Sequence, residues 1–72
     1  MVLRSYLKEI RLQKGLTQES LAGVIGVTRQ TIIAIEKGKF VPSVKLALEL
    51  AKALGQPLEQ VFWLEASQED RS

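Results

Sequence analysis

Apolar residues recur at helical spacing along most of the chain, and glycine or proline separates the repeats. The first repeat predicts a helix over about residues 5–14. Leu3, Leu7 and Ile10 fall on one face of this pattern. Gly15 follows it and suits the left-handed position at which many helices end. The pattern therefore predicts a first helix that packs one face on a core.

Two short helices are predicted next. Thr17 and Thr28 stand where N-cap residues stand, each just before a new apolar repeat. Gly26 lies between the two repeats and suits the positive φ of a sharp turn, and Gly38 ends the second repeat. Two helices held at a fixed angle across a three-residue turn push the second helix outward, where it is able to enter the major groove of DNA.

The rest of the chain completes a small bundle. Ser43 is the predicted N-cap of a fourth helix that ends at Gly55 and is apolar on nearly all sides. Pro57 is predicted at the first position of a short fifth helix that runs to about Val61. Residues 1–4 and 62–65 are strand-like, and residues 66–72 are polar and predicted to be a disordered tail.

These elements predict a mainly α fold, a five-helix bundle that contains a helix-turn-helix, with a short two-stranded antiparallel sheet from the chain termini. Residues 1–65 form one domain in this prediction. No apolar run reaches the ~20 residues that span a bilayer, and the N-terminus lacks the order of a signal peptide. We therefore expect a cytoplasmic protein without a membrane partner.

The composition argues against an enzyme. The 72 residues include no cysteine and no histidine, which excludes disulfides, thiolate metal sites and the usual proton shuttle. The carboxylates are scattered along the chain rather than gathered. No catalytic residue, metal site, cofactor or small-molecule ligand is predicted.

The charge is unevenly distributed. Residues 1–45 contain eight basic and three acidic side chains, a net charge of +5. Residues 46–72 contain two basic and five acidic side chains, a net charge of −3. This division favours a polyanion as the partner of the N-terminal part, with an ordinary mixed surface as the alternative.

The third predicted helix, residues 28–37, divides into two faces. Ile32, Ile35 and Glu36 point inward at helical spacing. Arginine pairs with guanine, glutamine pairs with adenine, and small apolar groups contact the methyl group of thymine. A solvated face and a protein-binding face are the alternatives, and a bare isoleucine argues against the first. We predict base contacts from the opposite face of this helix: Arg29, Gln30, Ile33 and Ala34.

Residues 16–38 resemble the helix-turn-helix of the phage-repressor and Cro-like (XRE-type) family of bacterial and phage regulators. The resemblance extends over about residues 7–62 and is greatest to small single-domain dimeric repressors that carry terminal strands beside a five-helix bundle. Family members often have a long polar residue where this chain has Ile33 and Ala34. The residues that match are Gln18, Leu21, Ala22, Gly26, Ile32, Ile35, Glu36, Gly38 and Pro42.

The resemblance implies further roles in binding double-stranded DNA. Gln18 would hold a phosphate at the start of the second helix. Arg11 and Glu36 would form a partly buried ion pair with the arginine near the DNA backbone, and a purely internal ion pair is the equal alternative. The implied phosphate contacts are Thr17, Gln18, Thr28, Lys37, Lys39 and Arg11.

One recognition helix touches few base pairs, so proteins of this type bind palindromic sites as dimers. Five large apolar residues crowd the segment 58–64, and clustered aromatic residues favour dimer interfaces. The alternative is that Phe62 and Trp63 only cover the end of the bundle. The predicted homodimer interface comprises Leu58, Val61, Phe62, Trp63 and Leu64.

The chain is thus predicted to be a sequence-specific DNA-binding transcriptional regulator, a homodimeric repressor that binds a palindromic operator with helix 28–37. Two other functions stay open at this point. The first is an antitoxin-type autorepressor that also binds a partner protein. The second is an interaction module that has this fold but does not bind nucleic acid.

Overall fold

Five helices and two strands make up the part of the chain that the computed structural model describes, residues 1–66. The predicted mainly helical fold with a sheet formed by the chain termini is confirmed. The predicted tail lies outside the described residues except for Ala66. In chain order the elements are β1 (Val2–Ser5), α1 (Leu7–Gln13), α2 (Gln18–Ile25), α3 (Arg29–Glu36), α4 (Val44–Leu54), α5 (Leu58–Val61) and β2 (Phe62–Glu65).

The two strands pair antiparallel and seal one end of the bundle. Leu3 pairs with Leu64, and Ser5 pairs with Phe62. The prediction that a helix begins at Ser5 is therefore wrong, because Ser5 belongs to β1 and α1 begins two residues later. Leu3 still packs against the core, but it does so from the strand. The backbone amide of Tyr6 donates to the carbonyl of Val61 at 2.9 Å and ties the start of α1 to the end of α5.

The core is a single cluster to which all five helices contribute. Its fully buried side chains are Leu7, Leu21, Ile32, Leu50, Leu54 and Val61. The helix α4, predicted to be apolar on nearly all sides, supplies more core residues than any other helix. Two of its apolar residues, Val44 and Leu48, face solvent instead. Pro57 is the N-cap of α5 and not its first helical residue.

The turn between α2 and α3 has the predicted caps. Gly26 ends α2 with φ +84°, and its amide donates to the carbonyl of Ala22 at 2.8 Å. Thr28 then caps α3 by accepting from the amide of Thr31 at 3.3 Å. The three residues 26–28 therefore complete one helix and start the next, which fixes the angle at which α3 leaves the bundle.

Alanine substitutions at two glycines three residues apart on this segment should change the free energy of unfolding in opposite directions. Gly23→Ala should raise the free energy of unfolding by about 0.5–1 kcal/mol, because Gly23 lies inside α2 with no atom near the position of a new Cβ. Gly26→Ala should lower it by about 1–2 kcal/mol, because an L side chain disfavours positive φ. Urea unfolding of the two variants measures both effects. Equal effects of the same sign would contradict the left-handed turn.

Candidate nucleic-acid interface

The helix α3 is buried on one side and open on the other. Ile32 and Ile35 point into the core, as predicted. Arg29 and Gln30 are exposed at the N-terminal end of the opposite face. Ile33 and Ala34 are half-buried, and Ile33 is not among the apolar residues that pack against the core. The N-terminal half of the face predicted to contact bases is therefore exposed, and its second half is partly covered by the rest of the subunit.

An ion pair between α1 and α3 lies beneath this face. Arg11 Nε donates to Glu36 Oε2 at 2.7 Å, and Arg11 Nη2 donates to Glu36 Oε1 at 3.3 Å. Arg11 Nη1 donates to the carbonyl oxygen of Leu16 at 2.9 Å. The two side chains are only 7% and 4% exposed. The two hydrogen bonds between the charged Arg11 and Glu36 side chains hold α3 at a defined depth and rotation on the bundle.

This geometry favours the internal role of Arg11 over the predicted phosphate contact. All three nitrogen atoms of its guanidinium already donate within the subunit, and the side chain has little surface for a DNA backbone. Arg11 is therefore best described as a residue that positions α3.

Gln18 has a role that sequence reasoning missed. Its Nε2 atom donates to Glu36 Oε1 at 3.0 Å, and its Oε1 atom accepts from Arg29 Nε at 3.4 Å. The side chain thus links the carboxylate beneath α3 to the first residue of the exposed face. Spacing alone does not reveal this link, because it joins the starts of two helices whose relative placement is set by the turn.

The other candidate phosphate contacts lie on the surface. Lys37 and Lys39 are exposed just beyond the C-terminal end of α3. Thr17 and Thr28 are also exposed, and each hydroxyl oxygen accepts a backbone amide at the start of a helix, from Ser20 at 2.9 Å and from Thr31 at 3.3 Å. Helix starts of this kind favour negative groups.

Two of the five residues predicted at the interface are buried within their own subunit. Val61 is fully buried and Phe62 is 7% exposed, so both belong to the core of their own subunit. Val61 points inward from the last position of α5, and Phe62 points inward from the first position of β2. Leu58 is half-buried against the core, and Trp63 packs on Tyr6 with 4.5 Å between the ring centroids. Leu64 alone of the five is largely exposed, at 60%.

An apolar groove lies beside Leu64, between the sheet and the helices α4 and α5. It encloses about 290 Å³. Val41 and Val44 stand on its rim, and Val44 is 74% exposed. The sequence pattern placed Val44 in a helix that is apolar on nearly all sides and did not show that Val44 faces solvent.

Two other kinds of feature are absent from the described residues. Within residues 1–66 no group of acidic side chains is arranged to hold a metal ion. The longest helix there, α4, has 11 residues, and none of the helices combines the length and the apolar character needed to cross a membrane.

Known proteins share this sequence pattern. A family model described as helix-turn-helix matches residues 7–61. The chain is 51% identical over 63 residues to YgzD, an HTH-type transcriptional regulator of Bacillus subtilis, with 88% of this chain and 96% of the relative covered. It is 53% identical over 60 residues to an HTH-type transcriptional regulator of Methanocaldococcus jannaschii, covering 83% and 91% respectively. The pattern therefore occurs in archaea as well as in bacteria.

A phage repressor and a solved structure are also similar. The transcriptional repressor RstR of cryptic phage CTXphi from Vibrio cholerae is 35% identical over 57 residues, which are 79% of this chain and 51% of RstR. The restriction-modification controller protein C.AhdI from Aeromonas hydrophila superposes with a TM-score of 0.71 at 37% identity. That superposition covers 75% of this chain and 78% of C.AhdI.

Removing one partner of the buried ion pair should destabilise the fold far more than removing both. Arg11→Met leaves the Glu36 carboxylate buried without its cation and should cost about 3–5 kcal/mol of unfolding free energy. The double variant Arg11→Met/Glu36→Leu should recover most of that loss, because no unpaired charge remains. Thermal unfolding followed by circular dichroism measures the difference. If the single variant is as stable as the wild type, the pair does not position α3.

Proposed function

This chain belongs to the helix-turn-helix family of DNA-binding transcriptional regulators, of the XRE or Cro/C1 type, and from that membership we propose that it is a homodimeric repressor that binds a palindromic operator. A dimer bound at a promoter blocks polymerase by occupying the site. We place this activity in the cytoplasm, where the DNA of bacteria and archaea lies.

The observation that carries the proposal is the open outer face of α3. Its N-terminal residues, Arg29 and Gln30, are exposed, and its opposite face is anchored by Ile32 and Ile35. Recognition helices present their N-terminal residues to base edges in just this way. The only acidic side chain of α3, Glu36, is turned inward, so the exposed side offers no repulsion to DNA.

In the proposed complex, hydrogen bonds specify one part of the site and apolar contacts the other. Arg29 donates to O6 and N7 of a guanine, and Gln30 pairs with an adenine. Ile33 and Ala34 lie against methyl groups further along the groove.

Contacts to phosphates surround these base contacts. Lys37 and Lys39 bind the backbone on one side of α3, and the helix starts capped by Thr17 and Thr28 bind it on the other. Gln18 also lies at such a start, but its side chain is already bonded to Glu36 and Arg29. Its contribution to phosphate binding therefore comes through its backbone amide.

The apolar groove supports self-association. Val41, Val44 and Leu64 together expose apolar surface around a concavity of about 290 Å³. A groove with projecting apolar side chains on its own rim is suited to a two-fold interface, in which the rim side chains of each copy occupy the groove of the other. Leu58 and Trp63 line the same groove, so part of the predicted interface stays in the proposal. The dimer places two α3 helices in successive major grooves, roughly 34 Å apart.

Selection of bound fragments from a random pool of duplex DNA tests the proposed function directly. A palindrome with half-sites about one helical turn apart is the expected result. An asymmetric consensus would contradict the dimer. Recovery of no preferred sequence would contradict sequence-specific recognition.

Arg29→Ala should weaken binding to the selected operator by about 1–3 kcal/mol and relax the preference at one base pair in each half-site. The matched control is Lys39→Ala, which should weaken binding evenly on all sequences and lower the salt slope by about one unit per subunit. Titrations at several salt concentrations, on the operator and on single-base variants, measure both. An even loss for Arg29→Ala would reassign this residue to a phosphate.

Val44→Glu should raise the dissociation constant of the dimer at least about tenfold, because it places a charge at the rim of the apolar groove. Val44 is the first residue of α4, where an acidic side chain favours the helix, so the fold should be retained. Val24→Glu on α2 is the control, since Val24 is 68% exposed, close to the 74% of Val44, and lies outside the groove. Sedimentation equilibrium measures association. An unchanged dimer in Val44→Glu would place the interface elsewhere.

A further inference from the structure

A second concavity, the β1 cleft, lies between β1 and the segment that follows α3. It encloses about 190 Å³. Clefts that take drug-sized ligands enclose about 300–1,000 Å³, so this one suits a smaller molecule. The residues of its lining used below are Leu3 and Arg4 of β1, Lys37 at the end of α3, and Phe40 and Val41 beyond it.

One part of this lining is an aromatic side chain that packing within the subunit does not explain. Phe40 is 45% exposed, and it belongs neither to the hydrophobic core nor to the partly buried side chains packed against the core. It does not line the apolar groove either. Half-buried Leu3 and exposed Val41 add apolar surface beside it. A small apolar group in the cleft would therefore cover a phenyl ring that is now partly in water.

The charged side chains of the β1 cleft favour an anion. Arg4 lines it from β1 and Lys37 from the end of α3, and both are exposed. Arg4 lies 3.9 Å from Glu65, but both side chains are 58% exposed, so this ion pair holds the arginine only weakly. Glu36 also lines the cleft, and its carboxylate is neutralised by Arg11. Two cations are therefore left to attract a negative group.

These side chains, and not the backbone at the end of α3, are the groups able to bind the anion. The amides of Lys37, Gly38 and Lys39 already donate to carbonyl groups of α3, at 3.0, 3.1 and 2.9 Å. The same bonds occupy carbonyl oxygens at the negative end of the helix, which lessens their repulsion of an anion. Two cations beside an apolar wall fit a carboxylate with an apolar body better than a small, fully hydrated anion.

The β1 cleft borders both surfaces on which the proposed function depends. Lys37 is one of the proposed phosphate contacts, and Val41 stands on the rim of the apolar groove. A carboxylate bound to Lys37 neutralises a charge that otherwise meets the DNA backbone. Occupation of the cleft and binding of DNA therefore oppose each other, and thermodynamic linkage makes this opposition reciprocal.

We propose that the β1 cleft is an effector site for a small aromatic monocarboxylate, which weakens operator binding by withdrawing Lys37 from the DNA. Arg4 and Lys37 pair with the carboxylate, and Phe40 packs against the ring. The regulatory effect rests on the proposed DNA-binding function, whereas binding of the carboxylate does not. Separate experiments without and with DNA therefore test the two parts.

Sodium benzoate is the probe for the experiment without DNA. A ligand of about ten non-hydrogen atoms with ordinary ligand efficiency has a dissociation constant on the order of 10 mM. Benzoate replaces chloride at constant ionic strength, and backbone-amide NMR follows the titration. The amides of Ser5 and Gly38, which line the cleft, should shift and saturate. Benzamide has nearly the same shape but no charge, and at the same concentrations it should leave them almost unshifted.

Two variants test the two sides of the site. Arg4→Gln removes a cation and Phe40→Ser removes the aromatic wall, and each should weaken benzoate binding at least about fivefold. The matched controls are Lys8→Gln and Val24→Ser, which make the same kinds of change at exposed positions outside the cleft and should bind benzoate as the wild type does. Urea unfolding checks that each variant is folded. If Phe40→Ser is not, Arg4→Gln still decides, because its side chain is 58% exposed.

The experiment with DNA measures affinity for the selected operator as benzoate replaces chloride at constant ionic strength. Saturating benzoate should weaken wild-type binding at least about fivefold. It should also lower the salt slope by about one unit per subunit, because one phosphate contact is lost in each. Arg4 is not among the proposed DNA contacts. Arg4→Gln should therefore bind the operator nearly as the wild type does without benzoate and change little when benzoate is added.

Several outcomes overturn the proposal. Amide shifts confined to other parts of the protein, equal binding of benzamide, or undiminished binding by both cleft variants would each show that the cleft is not a carboxylate site. Binding in the cleft with unchanged operator affinity would contradict the regulatory role and leave the proposed DNA-binding function standing. Selection of no DNA at all would contradict that function, and the titration without DNA would still decide whether the site exists.

Discussion

One buried carboxylate, that of Glu36, helps to hold the helix α3 in its orientation on the bundle. The helix α3 has eight residues, and isolated helices of that length are marginal in water. The opposite face of α3 is open at its N-terminal end, so only Ile32 and Ile35 anchor the helix by buried apolar contact. Two apolar side chains do not by themselves define the rotation of a short helix. The ion pair between Glu36 and Arg11 adds that definition, because its hydrogen bonds tolerate little displacement.

The same carboxylate also reaches the binding face. Glu36 Oε1 accepts from Gln18, and Gln18 accepts from Arg29. A group that stabilises the fold is therefore connected, through one amide side chain, to the residue proposed to bind guanine. An arginine with a held Nε atom loses less side-chain entropy on binding than a free one. These hydrogen bonds therefore connect the packing of α3 on the bundle to the orientation of the Arg29 side chain.

The sequence predicted local features well and surface features poorly. Thr17, Thr28 and Gly26 were identified because caps and left-handed turns depend on residue type within a few positions. The inward face of α3 followed from helical spacing alone. The terminal sheet was predicted, but Ser5 was assigned to the helix because the last residue of the first strand is set by its pairing with Phe62, far along the chain.

The candidate interfaces show the same division. Val61 and Phe62 were counted as surface residues because composition reports how many apolar groups are present and not which way each one points. The groove around Val44 and the bonds of Gln18 arise only when separate helices meet. Periodicity within one helix contains no information about such contacts.

The connection between α3 and α4 joins the two surfaces on which the proposed function depends. Residues 37–43 begin with the lysines assigned to phosphates and lead to the groove, whose rim includes Val41 and Val44. Pro42 restricts the backbone within this segment. In the proposed dimer, this connection sets the distance from each α3 to the two-fold axis. Operator spacing is then determined by packing in the groove as much as by the residues that contact bases.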